Sequence, residues 1–396
     1  MINKRFYLSG ICCLVMSVMH AQVGGLSPYK FSADIYSRSS KDSTYSRGSA
    51  PTDLSFIGLY KEAIAHYDQS RRALQTISGA DSTAFAARHR PVDARKFLVQ
   101  KAKENQIVIF NEAHHNPRNR VFVASLLKDL RSAGYKYFAA ETFINDSFFV
   151  KENHPILFTG YYTMEPQFGN LVREAVRLGF SLFPYEASPG ANGKQREIEQ
   201  ARNIAVLLKR DPQAKVIIYC GYSHVLEDSV RGWEKAMAGR VREYTGIDPY
   251  TVDQIELSER SQKAFENPYF RLIKYTRYAV LVDSEKKPFN KRLDGQHVDA
   301  LLYSPPTRYI HNRPGWIFDN GRVPYFLPAK DITVSFPVLV KAFLAEDDPE
   351  KAIAIDVIEI KDEHALSATA LALPQGNFFI QLEDTQGKKQ IIKIRK

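Results

Sequence analysis

Between Gln106 and Cys220 the chain alternates short, nearly unbroken apolar runs with helical segments, and this pattern restricts the fold more than any other feature. Gln106 to Phe110 reads as a strand, Pro117 to Ala133 as a helix, Tyr135 to Ala140 as a strand and Pro166 to Leu178 as a helix. Phe180 to Pro184, Lys194 to Arg210 and Lys215 to Cys220 continue as strand, helix and strand. Further strands are expected at Tyr250 to Leu257, Tyr278 to Asp283 and Val298 to Tyr303. Strands that are apolar on both faces must be covered on both, and helices of this length between them return successive strands in parallel. The expected fold is α/β, a layered structure with a mostly parallel central sheet flanked by helices.

The flanks differ in texture. Two helical patterns, Leu54 to Leu74 and Val92 to Glu104, precede the alternation, the first opening after Thr52 and Asp53 as caps. Beyond about Pro328 short strands are expected at Ile332 to Phe336, Ala354 to Ile360, Asn377 to Leu382 and Gln390 to Ile394, with a turn over Glu383 to Gly387. These divide the chain into an α/β main domain over residues 53–327 and a small antiparallel β domain over 328–396. Residues 22–52 are rich in Ser, Gly, Lys and Arg without apolar periodicity and read as a flexible leader.

Residues 1–21 follow the plan of a secretory signal peptide: Lys4 and Arg5, an apolar run from about Ile11 to Met19, and a small residue, Ala21, before the expected cut. The run is too short for a permanent span, which needs roughly 20 apolar residues, so no transmembrane segment is expected after processing. The sequence thus points to an exported protein, periplasmic or extracellular. Cleavage removes two of the 54 basic residues and none of the 44 acidic ones, so the net charge falls from +10 to +8. Much of the remaining excess sits between Lys30 and Arg47 and in the last nine residues, with no basic patch interleaved with aromatics, so no nucleic-acid partner is expected. Of three cysteines only Cys220 survives processing, which excludes an intramolecular disulfide, and its place in an apolar strand reads as a small buried hydrophobe.

The chemistry gathers where strands end. Ile107 to Phe110 leads into Asn111, Glu112, Ala113, His114, His115, Asn116 and Pro117, with Pro117 suited to open a helix. Ala140 leads into Glu141, Pro184 into Tyr185 and Glu186, and Cys220 into Gly221, Tyr222, Ser223 and His224, with Glu227 three residues on. In a parallel sheet these ends share one edge, where ligands of open α/β sheets bind. Glu112, His114, His115, Glu141, Glu186, His224 and Glu227 would then converge, imidazoles and carboxylates together being what a water-activating acid/base site or a divalent metal requires. For a metal, the candidate ligands are His114, His224, Glu141 and Glu227, the last on the same face as His224 if a helix begins there. Arg120 lies on the apolar stripe of its helix with Val123, Ala124, Leu127 and Leu130, so its inward guanidinium needs a carboxylate such as Glu112 or Glu141. There is no Walker loop, no G-x-G-x-x-G after a strand and no H-E-x-x-H, and Gly221 to Val225 lacks the second glycine of a nucleophile elbow.

Taken in order, Asn111 to Pro117, Arg120, Glu141, the segment Gln195 to Asn203 and Gly221 to His224 resemble the superfamily of erythromycin esterases, ChaN-like haem-binding proteins and Tiki/TraB-type metalloproteases. The resemblance covers roughly Gln106 to Glu227. It aligns Glu112 and His224 with the signature's glutamate and late histidine; the ChaN-like and Tiki-like spacing selects His114, the esterase spacing His115. Asn111 stands where the superfamily usually has glycine. The resemblance implies either a hydrolase of esters, lactones or peptides, in which a histidine activates water alone or on a divalent metal, or a haem or iron carrier. A third possibility is an inactive scaffold. Imidazoles and carboxylates at strand ends suit bond cleavage of a small-molecule or peptide substrate.

Overall fold

A computed structural model describes residues 27–74, 76–144 and 154–396; the expected signal peptide lies outside them. An eight-stranded sheet forms the centre. Its strands are β1 (Arg90–Asp93), β2 (Ile107–Glu112), β3 (Tyr135–Ala140), β4 (Ser181–Pro184), β5 (Lys215–Gly221), β6 (Tyr250–Asp253), β7 (Ala279–Val282) and β8 (Ala300–Tyr303). The order across the sheet is β1-β7-β8-β6-β2-β5-β3-β4. All neighbours from β8 to β4 pair in parallel, while β7 runs antiparallel to β8 and to β1. This is the expected mostly parallel α/β architecture, with an antiparallel edge.

Alternation along the central strands sorts their side chains into two buried layers. Ile107, Ile109, Val216, Ile218 and Cys220 face the helices Gly193–Arg210 and Met237–Thr245 through Ala201, Ile204, Leu208 and Val241. Val108, Phe110, Ile217 and Tyr219 face the helices Ala94–Glu104, Arg118–Ser132 and Pro166–Arg177 through Leu98, Leu127, Leu130 and Leu171. Cys220 is buried, and burial pushes its thiol well above the ordinary range, as suits a packing residue.

Two short pairs, β9 (Tyr309–Ile310) with β10 (Arg313–Pro314) and β11 (Val323–Tyr325) with β14 (Leu371–Leu373), lead into the C-terminal sheet. That sheet is antiparallel in the order β13 (Asp356–Ile360), β12 (Val338–Leu344), β15 (Asn377–Asp384), β16 (Lys389–Arg395). The strand expected at Ile332 to Phe336 does not form. Pro337 has no N–H to give a ladder, β12 begins at Val338, and the Thr333 N–H bonds instead to the Gln390 side chain at 2.8 Å.

The stretch read as a flexible leader is helical and packed where it is described. Helices Ser32–Lys41, Ser43–Gly48 and Ala50–Phe56 bury Ile35, Tyr45, Leu54 and Phe56 against Leu339, Phe343 and Val357 of the C-terminal sheet. Their apolar residues are too sparse to announce a stripe, and the partner surface lies some three hundred residues away in the chain. The single helix expected from Leu54 to Leu74 breaks into Ala50–Phe56 and Tyr60–Asp68 at Gly58. Gly58 has φ +75°, and a Cβ there would lie 2.4 Å from the Val357 carbonyl oxygen.

Candidate functional site

Parallel pairing brings four strand ends to one edge. Glu112 of β2 is level with Gly221 of β5, and Ala140 of β3 with Tyr219 of β5 and Pro184 of β4. Glu141, Glu186 and the 3-10 turn Tyr222–Val225 that carries His224 therefore follow at the same height.

The first half of the site is a buried chain of ions. Glu112 accepts two hydrogen bonds of 2.6 Å from Arg120, from Nε and Nη2. Arg120 has no exposed surface; it also donates to Glu165 at 2.9 Å and to the His114 carbonyl at 3.0 Å, with its guanidinium over the Phe168 ring. Burial opposes the charge on Glu112, but Arg120 outweighs it and lowers the carboxyl to about 2. The ionised Glu112 in turn holds His114, whose Nδ1 lies 2.8 Å from Oε1. An ionised carboxylate only accepts, so Nδ1 carries a proton and Nε2 is the ring nitrogen aimed at the strand edge. The Tyr162 ring stacks on this imidazole with centroids 3.6 Å apart.

The second half centres on Glu141. Its carboxylate accepts the Gly221 N–H and, at 2.7 Å, Arg196 Nη2. His114 Nε2 lies 4.0 Å and His224 Nε2 3.9 Å from the same Glu141 Oε1. Burial disfavours charge on Glu141, but His224, His114 and Arg196 prevail and lower it to about 2. His224 is arranged like His114: its Nδ1 is 2.8 Å from the buried Glu197, and its ring stacks on Trp233. Burial opposes protonation of His224, and Glu141 and Glu197 together reverse that and raise it above the ordinary histidine value. Arg196, held by Glu186 through Nε and Nη2, also approaches His224 Nε2 at 3.2 Å.

His115 is not part of this cluster. Its Nδ1 meets the Tyr222 hydroxyl at 3.1 Å and its ring stacks on Tyr67 at 3.9 Å. Burial, reinforced by Arg260, keeps it neutral, well below the usual range. Glu227 also stands apart. The 3-10 turn ends at Val225 and Leu226 is extended, so Glu227 reaches Thr251 and, at 3.0 Å, His297, away from the proposed ligands. Of the residues expected to converge, Glu112, His114, Arg120, Glu141 and His224 do so, with Glu186 joined through Arg196.

Sequence reading missed Glu165 and Tyr162, and it placed Arg196, Glu197 and Gly221 in quoted segments without assigning them a role. A Cβ at Gly221 would lie 2.4 Å from His114 Cε1 and 2.5 Å from Nε2, so only glycine lets the ring approach. Asn111 sits in regular strand and clips the loops. Its amide donates to the Tyr222 carbonyl at 2.9 Å and its oxygen accepts the Gln254 N–H at 2.8 Å. Tyr222, with φ +42°, is held in a conformation that costs about 1–3 kcal/mol.

Between Glu112, His114, Glu141, Tyr162, Tyr219 and Gly221 lies a cavity of about 10 Å³, room for about one water. It has no room for a macrocycle, so the described residues do not fit haem at this cluster. They do not fit a divalent metal either: the Arg196 guanidinium lies against Glu141 and His224 where an ion would sit. Among the described residues no group of three His, Cys, Asp or Glu is placed to hold an ion. No described helix is long and apolar enough to cross a membrane.

No protein-family model and no curated protein matches the sequence. Among solved structures, the type III effector HopBA1 is similar at 14% identity over 45% of this chain and 92% of that one, with a TM-score of 0.30. RRSP, a MARTX toxin effector domain from Vibrio vulnificus CMCP6, is similar at 12% identity over 48% of this chain and 44% of that one, with a TM-score of 0.28. Likeness at these scores carries no statement about function.

Proposed function

We propose that the chain is an exported hydrolase in which His114 is the general base that activates water for cleavage of an ester, lactone or peptide bond, with the architecture of the erythromycin esterase and ChaN-like superfamily. The observation that carries this reading is the Arg120–Glu112–His114 chain, which fixes the Nδ1–H tautomer and turns Nε2 onto a one-water cavity. In this mechanism Glu112 stays ionised and orients the ring. Nε2 takes the proton of the water as it attacks the carbonyl carbon, and the imidazolium returns that proton to the leaving oxygen or nitrogen as the tetrahedral intermediate collapses and the scissile bond breaks. Glu141, ionised and fixed by the Gly221 N–H, orients that water from the opposite side. Arg120 is saturated by Glu112, Glu165 and the His114 carbonyl, so the developing oxyanion falls to His224, whose charged form is favoured.

The test is turnover of a panel of aryl esters, lactones and peptides by the processed protein and by a folded His114→Ala variant. Hydrolysis of at least one class, reduced about 10²–10⁴-fold in the variant, is expected; no turnover, or turnover untouched by the substitution, contradicts the reading.

One observation favours a second reading, an inactive scaffold. Tyr162 covers His114 and the cavity admits a water but no carbonyl, so the cluster also suits a satisfied polar core. A silent panel is what that reading predicts.

A further inference from the structure

We propose that Arg196 is the site's own cation: its guanidinium occupies the position between Glu141 and His224 that a divalent metal would take, and the native cluster therefore binds none. This concerns what fills the site and stands apart from whether the cluster cleaves a bond.

The surrounding groups are of the kinds a metal centre uses, set slightly too wide for an ion. Two imidazoles, His114 and His224, each have Nδ1 tied to a buried carboxylate, Glu112 at 2.8 Å and Glu197 at 2.8 Å. That outer tie fixes the ring of a metal-bound histidine and leaves Nε2 to coordinate. Both Nε2 atoms face Glu141 Oε1, at 4.0 and 3.9 Å. Donors that share one zinc ion at about 2.0–2.2 Å stand roughly 3–3.5 Å from each other, so these three are spread slightly too wide. The spread has an occupant. Arg196 Nη2 lies 2.7 Å from Glu141 Oε1 and Nη1 3.2 Å from His224 Nε2, so one planar fork bridges the two side chains.

The guanidinium is held in place from behind. Glu186 binds Arg196 Nε at 3.1 Å and Nη2 at 2.7 Å, and Glu186 is itself fixed by Gln200 at 2.8 Å. Arg196 and the Glu197 that orients His224 are adjacent in the first turns of the helix Gly193–Arg210. The element that positions one imidazole thus also delivers the cation, and the two cannot be set independently. With Arg196 present, an incoming dication would meet a fixed positive charge and two donors already engaged. With it removed, Glu141, His224 and His114 would face an empty position with their outer carboxylates intact.

The experiment compares the processed protein, Arg196→Ala and the double variant Arg196→Ala/His224→Ala after incubation with Zn²⁺ and removal of free ion, reading bound zinc by mass spectrometry and melting temperature with and without Zn²⁺. The native protein is expected to show no zinc that is lost on His224→Ala substitution. Arg196→Ala is expected to gain about one equivalent and a higher melting temperature with zinc, and the double variant to lose both. Zinc bound by the native protein and released by His114→Ala or His224→Ala overturns the proposal, as does a folded Arg196→Ala that gains none. The native arm decides even if Arg196→Ala does not fold. Zinc content is read without turnover: a folded Arg196→Ala that gains no zinc leaves the assignment of His114 as base standing, native zinc held by His114 overturns both, and a silent substrate panel leaves this assignment standing.

Discussion

Glu112 Oε1 and His114 Nδ1 lie 2.8 Å apart, on two residues at the end of one strand, and the carboxylate half of the pair is anchored by a fully buried arginine. The imidazole is therefore oriented by the sheet itself, through β2, and by the first turn of the following helix, through Arg120.

Substituting Glu112→Gln removes the charge that compensates Arg120, and unpairing a buried ion costs about 3–5 kcal/mol. The expected result is a large loss of stability at neutral pH in urea melts, tempered by the remaining Glu165 bond at 2.9 Å. A loss below about 1 kcal/mol would show that the ion chain is not a support of the fold.

The same chain sets acid stability. Glu112 and Glu141 each fall from the ordinary 4.5 to about 2, a difference worth about 3 kcal/mol per group. A lowered carboxyl contributes stability above its unfolded value, and that contribution fades as pH drops from about 4.5 toward 2. Melts across that window should show the native protein losing stability steeply and Glu112→Gln losing less.

His224 has the opposite sign. Its raised value means that its contribution is complete below the ordinary histidine value of 6.5 and is lost as pH rises through the folded one. His224→Gln is expected to cost more stability at pH 6 than at pH 9, checked by thermal melts at both.

Gly221→Ala places a methyl 2.4 Å from His114 Cε1. The backbone at Gly221, φ −86°, tolerates alanine, so the effect is steric: a cost of about 1–3 kcal/mol and a displaced base. Activity should fall by more than stability explains; an active Gly221→Ala would show that the ring position is not critical.

The central sheet was legible because Ile107 to Phe110 and Val216 to Cys220 are apolar on both faces, which only a covered parallel sheet accommodates. Once the strands are parallel, the convergence of Glu112, Glu141 and His224 follows from their place just past a strand end. Arg196 and Glu197 lie in the quoted segment Gln195 to Asn203, but their roles were not legible, since on an amphipathic helix they resemble solvent-facing charges and their partners are 55 and 27 residues distant. Glu227 was misplaced because a helix was assumed to continue from His224, where a one-turn 3-10 element ends at Val225. The helices from Ser32 to Phe56 were missed because their partner surface, Leu339 and Phe343, belongs to the far end of the chain.

The most direct test of the proposed role is the hydrolysis rate of His114→Ala beside that of His115→Ala, on whichever substrate of the panel the native protein turns over. The account predicts a loss of about 10²–10⁴-fold for His114→Ala and a rate near native for a folded His115→Ala; loss confined to His115→Ala would contradict it.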